Sequence, residues 1–143
     1  MRKAAVSAVL ATALVPAVLV GSAGAGQGVR APEDCTDPVN RPNRIVLACA
    51  DFSLFVNTIH WDVWKSDKAK GTGRLQVNDC DPDCASGTFT AYPVKIRLDK
   101  PRTTVCSGGD FNMFRHAHLK FPRAEPPPPN RYRQNKLFCD EAV

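Results

Sequence analysis

Residues Gly71 to Val94 read GTGRLQVNDCDPDCASGTFTAYPV. Gly73, Leu75 and Val77 fall on one parity, and Thr72, Arg74, Gln76 and Asn78 on the other. A turn follows that is rich in aspartate and holds Cys80 and Cys84, and then alternation resumes. Asn and Asp favour turns because their side chains bond nearby backbone N–H groups. The stretch therefore predicts a β-hairpin with a tied tip.

Working outward, Tyr92, Val94, Ile96 and Leu98 form an apolar face opposite Lys95, Arg97 and Asp99. Pro93 has no ladder donor, which places it at an edge or a bulge. Upstream, Ile45 to Ala50 is a short apolar run expected as a buried strand, followed by a loop over Asp51 to Phe55. From Val56 the parity sets Ile59, Trp61 and Val63 on the core face and His60, Asp62 and Trp64 on the other. Lys65 to Lys70 reads as a solvated connection and Pro101 to Asp110 as a turn. Phe111, Met113, Ala117, Leu119 and Phe121 then share a parity, with Arg115 as the misfit. Pro126 to Pro129 reads as extended polyproline. The sum is an all-β fold: a small antiparallel β-sandwich or barrel of about five or six strands, stapled by disulfides.

The first residues do not belong to that fold. Arg2 and Lys3 precede the apolar run Ala4 to Val20, and Ala23-Gly24-Ala25 supplies small residues at a cleavage site. Residues 1–25 are read as a secretory signal peptide, 26–44 as an N-terminal arm, 45–121 as the β-domain, and 122–143 as a Pro-rich basic tail docking through its end. No other segment is long and apolar enough to cross a bilayer. Signal removal lowers the formal net charge from +5 to about +3, a mildly basic balance.

All six cysteines, Cys35, Cys49, Cys80, Cys84, Cys106 and Cys139, lie after the signal. An even count in a small exported chain predicts a disulfide framework, because thiols outside the cytoplasm oxidise. Six cysteines allow 15 pairings, and sequence does not choose among them. The preferred set is Cys80–Cys84 at the tip, Cys35–Cys49 for the arm and Cys106–Cys139 for the tail; the rival joins Cys49 to the tip.

Several residues invite a functional reading. Asp79, Asp81 and Asp83 alternate like Ca²⁺ ligands, but Cys84 and Thr90 stand where an EF-hand needs Gly and Glu. A solvated turn is the plainer reading. His116 and His118 share a strand face and would form a zinc site only with His60 beside them. On that arrangement a secreted hydrolase or metal-dependent enzyme is the alternative function. Trp64, beside His60 and Asp62, is a candidate stacking platform or interface anchor, unless the arm or the Pro-rich tail covers it. Lys120, Arg123, Arg131, Tyr132, Arg133 and Lys136 form a basic stretch suited to an anionic polymer, or simply a solvated tail. Nucleic acid is disfavoured, since Tyr132 is the one aromatic among these named residues. No G-x-S-x-G or H-E-x-x-H motif occurs.

The ordered set Ile45-Val46-Leu47-Ala48-Cys49-Ala50-Asp51, Trp61 with Trp64, Gly71-Thr72-Gly73, Asn78-Asp79-Cys80-x-Pro82-x-Cys84-Ala85, and Gly87-Thr88-Phe89 with Tyr92-Pro93-Val94 resembles a group of small secreted actinobacterial proteins of unknown function. It spans Ile45 to Leu98. The resemblance implies an exported, cysteine-containing domain and carries over no activity or ligand. The expectation is a secreted, non-catalytic binding or envelope-associated domain without a cofactor, whose partner is an envelope component or another protein. The candidate ligand surface comprises Trp64, His60, Asp79, Asp81, Asp83, Arg131, Tyr132 and Arg133.

Overall fold

The computed structural model describes residues 28–36, 38–123 and 128–139. The signal-peptide reading, and part of the polyproline reading, lie outside them. The elements are β1 (Ala31–Pro32), β2 (Pro38–Val39), β3 (Ile45–Val46), β4 (Leu54–Trp64), β5 (Ala69–Asn78), β6 (Phe89–Cys106), β7 (Gly109–Lys120), a 3-10 turn (Asn130–Arg133) and β8 (Gln134–Lys136). β3 to β8 form one six-stranded sheet in sequence order, and every neighbouring pair is antiparallel. The all-β, disulfide-stapled expectation takes the form of a half-barrel.

The longest strand explains the curl. β6 pairs with β5 through Phe89 to Leu98 and with β7 through Lys95 to Cys106. Only Lys95, Ile96, Arg97 and Leu98 have a partner on both sides. Pro93 and Pro101 bracket that segment, where β6 has a neighbour on one side and a missing donor is tolerated. The expected turn from Pro101 is thus strand up to Cys106, and Ser107 and Gly108 alone make the turn to β7. The expected connection Lys65 to Lys70 is likewise shorter, since β5 begins at the fully buried Ala69.

β4 carries two bulges, and they correct the parity read from sequence. Asn57 pairs with Arg74 and His60 with Thr72, and then Trp61 pairs with Gly71 and Val63 with Lys70. Each interval holds one more residue on β4 than on β5. Thr58 takes a left-handed φ of 48° at the first. Val56 and Ile59, three apart, therefore both face the core, and so do Trp61 and Trp64. The bulged backbone also approaches β5 closely: a Cβ on Gly71 would lie 2.3 Å from the His60 carbonyl oxygen. Only glycine fits there.

The arm closes the open side of the half-barrel. The Arg30 N–H donates to the Asn112 carbonyl of β7 at 2.9 Å, and the Phe114 N–H donates back to the Arg30 carbonyl at 3.0 Å. At the opposite edge the Val46 N–H donates to the Glu33 carbonyl at 3.0 Å. Two indoles fix the same segment from inside. Trp64 Nε1–H donates to the Val29 carbonyl at 3.1 Å, and Trp61 Nε1–H donates to the Pro42 carbonyl at 2.8 Å. Trp64 packs edge-on against both Trp61 and Phe114, with centroids 4.8 and 5.5 Å away. The prolines of the arm do not prevent pairing altogether, because β1 and β2 make a two-residue ladder, Ala31 to Val39 and Pro32 to Pro38.

The tail takes the remaining edge of β7. β8 pairs with His116 to His118, next to the site where Arg30 pairs. Leu137 is buried, and Cys139 is bonded to Cys106. The other two bridges are Cys35–Cys49 and Cys80–Cys84, so all six cysteines are paired in the preferred set.

Trp64→Phe keeps an aromatic ring and removes the donor to Val29. It is expected to lower the unfolding free energy by about 1 kcal/mol in urea titration. Replacing Cys35 and Cys49 together by alanine releases a bridge spanning 14 residues, with an expected cost of about 3 kcal/mol. Unchanged midpoints in both variants would mean that the arm does not close the sheet.

Candidate functional site

The histidines of the sequence reading do not assemble. His60 lies exposed on the outer face of β4, whereas His116 and His118 lie on β7. β5 and β6 intervene, so about 14 Å of sheet separates the two positions. Zinc needs its ligand nitrogens within about 2 Å of the ion. His118 Nε2 instead lies 3.1 Å from Asp99 Oδ1, and the same carboxylate accepts from Arg97 Nη2 at 2.6 Å. Burial and the nearby Lys100 push the His116 imidazole below its ordinary pKa. The three-histidine enzyme centre is therefore not formed.

The aspartate tip is a capped turn. Asp79 Oδ1 accepts the backbone N–H groups of Thr88 at 2.8 Å and Asp81 at 3.2 Å. Asp83 Oδ1 accepts the Ser86 N–H at 2.8 Å. Asn78 ties the two sides together: its Oδ1 accepts the Cys80 N–H, and its Nδ2 donates to the Cys84 carbonyl. A Cβ on Gly87 would fall 2.1 Å from Asn78 Oδ1, which explains glycine there. Among the described residues, the group of three side chains near enough to share a metal is Asp51, Cys80 and Cys84. Both of its sulfurs are spent in the Cys80–Cys84 bridge.

The other candidates serve the fold. Trp64 is half-buried in the core with its N–H satisfied, so it is not the exposed stacking platform that parity suggested; the bulge after Trp61 turned it inward. In the tail, the Arg131 guanidinium lies over the Tyr132 ring and donates to its hydroxyl at 2.7 Å. Arg133 lies over Phe121 and donates to Asn130 Oδ1 at 2.8 Å. Both cations already have partners within the chain.

A site missed by sequence reasoning lies on the outer face of the sheet. The register sets Lys70 beside Arg97 and Arg97 beside His118; one row along, it sets Thr72 beside Lys95 and Lys95 beside Lys120. These side chains, with Asp62, line an open groove of about 660 Å³. Four cations thus face one wall carboxylate, and Asp99 is engaged with Arg97 and His118. Lys70, Lys95 and Lys120 have no ion-pair partner within the described residues. The alternation placed Lys95 and Arg97 on the outer face, but it gave no register. Only register brings together cations up to 50 positions apart, as Lys70 and Lys120 are.

No protein-family model matches the chain, and no curated protein or solved structure matches it. No helix among the described residues is long and apolar enough to cross a membrane.

The tip has a pH signature. The bonds from Thr88 and Asp81 hold the Asp79 carboxyl below the usual carboxylate range. A depressed folded pKa stabilises the tip fully above the unfolded value near 3.9, and the benefit is lost as pH falls through the folded value. The Thr88 amide resonance is expected to titrate with a midpoint below that of an ordinary aspartate. A midpoint at or above the ordinary value would show that the cap is not made.

Proposed function

We propose that this protein is an exported, non-catalytic binding domain that works at the cell envelope or outside it and seats a negatively charged ligand on its outer sheet face. The observation that carries the reading is the groove itself. Lys70, Lys95, Arg97 and Lys120, drawn from three adjacent strands, line one open groove. Like charges on neighbouring strands repel, so the arrangement costs stability in the free protein and favours an anion that relieves it.

Export is supported by the signal-like first 25 residues and by three disulfides, which persist in oxidising compartments. The motif likeness to small secreted actinobacterial proteins supports the same compartment. A binding role is favoured over the hydrolase because the histidines lie apart and the thiols are paired.

Two measurements test the reading. Intact mass of the protein recovered outside the cytoplasm is expected to show a chain cleaved after Ala25 and lacking the hydrogens of three disulfides. Recovery only from the cytoplasm, with six free thiols, would refute export. The purified domain is expected to co-sediment with a washed envelope fraction at low salt and to be released as salt rises, since screening weakens exposed charge contacts. Salt-independent sedimentation would remove the electrostatic basis of the site.

A further inference from the structure

The groove has a neighbour. A second depression of about 480 Å³ is lined by Thr72, Gly73, Pro93, Val94, Lys95, Pro122 and Arg123. Thr72 and Lys95 belong to both, so the two form one continuous surface. The cations are spread along it: Arg97, Lys70 and Lys120 around the first depression, Lys95 at the junction, and Arg123 in the second. A compact anion would need these charges gathered about one point. A surface this long, with charge distributed along it, suits an elongated ligand.

The chemistry of the cations narrows the class. Asp99 already engages Arg97, leaving the lysines as the unpaired charges of the first depression. A lysine ammonium is a point charge with rotatable donors and a common phosphate ligand, whereas the guanidinium fork matches carboxylate and phosphate alike. Lys95 and Arg97, two residues apart on β6, stand roughly 6–7 Å apart along the strand. Successive anionic groups of the ligand must then be separated by several bonds, unlike the adjoining phosphates of inorganic polyphosphate. Neither depression has a Phe, Tyr or Trp in its lining, and the one ring there, the His118 imidazole, is already stacked with His116 and bonded to Asp99, so nucleobases would find no free ring to stack on.

We infer that the two depressions form a track for a linear phosphodiester-linked polyol polymer. Arg97 and Lys70 hold one phosphate region, and Lys95 with Lys120 and Arg123 the next. The inference rests on the anionic-ligand reading above and specifies its ligand.

The test titrates the folded, disulfide-bonded domain with purified poly(glycerol phosphate), with glycerol 3-phosphate as the monomer, and with a single-stranded DNA carrying as many phosphates as the polymer. The polymer is expected to bind at least tenfold more tightly than the monomer and the DNA. The logarithm of its affinity should fall with the logarithm of salt at a slope of about −1 to −2, as for two neutralised phosphates. Lys95→Glu and Lys120→Glu should each weaken polymer binding at least tenfold, whereas Arg102→Glu and Arg131→Glu, outside the track, should not. Equal binding of monomer and polymer overturns the track, equal binding of DNA overturns the polyol assignment, and unchanged binding in both lysine variants overturns the site. If the polymer fails to bind while salt-sensitive envelope binding persists and is lost in Lys95→Glu, this inference falls and the broader reading stands. If both are absent, both fall.

Discussion

A half-barrel has an open side, and everything else in this structure depends on closing it. An uncovered interior would leave Leu75, Ile96, Leu98 and Phe114 against water, at roughly 25 cal/mol for each square ångström. The closure is a stretch of irregular chain, whose backbone polar groups must find partners before it can be buried. Two tryptophans solve part of that problem. Their rings fill the interior while their N–H groups satisfy the carbonyls of Val29 and Pro42. Backbone bonds from Arg30 to β7 and from Val46 to Glu33 anchor the arm at both sheet edges.

The disulfides act where ladder bonds run out. Cys35–Cys49 fastens the connection between β1 and β2 to the chain just past β3, Cys106–Cys139 fastens the tail beyond β8, and Cys80–Cys84 fixes the tip beyond the last pair of β5 and β6. Each bridge restricts a segment that would otherwise fray. Cross-linking narrows the unfolded ensemble more for the longer loops, so the 14- and 33-residue spans gain most. Interior and edges thus rigidify the sheet, and a rigid sheet can hold like charges side by side on its outer face. Flexible strands would let Lys70, Lys95 and Lys120 move apart.

Legibility in the sequence followed period and chemistry. The hairpin from Gly71 to Val94, the apolar face of β6 and the local bridge at the tip could be read because neighbours in sequence create them. The inward turn of Trp64 could not. A bulge is one extra residue relative to a partner strand, and a single strand carries no record of its partner's count. Arg115 looked like a misfit in β7. Ala117 and Phe114, three apart, are both buried, and between them the ladder lacks a Lys100–Arg115 pair where Lys100 takes a left-handed φ of 52°, although the two strands keep the same count.

Taken alone, the sequence determined an all-β chain, strands whose faces alternate, an acidic turn tied by its own cysteines, and a full set of sulfurs suited to pairing. These follow from backbone sterics and short-range spacing. Tertiary structure decided which charges share a surface. It divided the basic residues of the sequence tail, giving Arg131 and Arg133 ring partners and placing Lys120 among the lysines of β5 and β6. It also set His60 far from His116 and His118. The reason is that contact across a sheet depends on register, and register comes from the packing of the whole core, through bulges and strand offsets spread over dozens of residues.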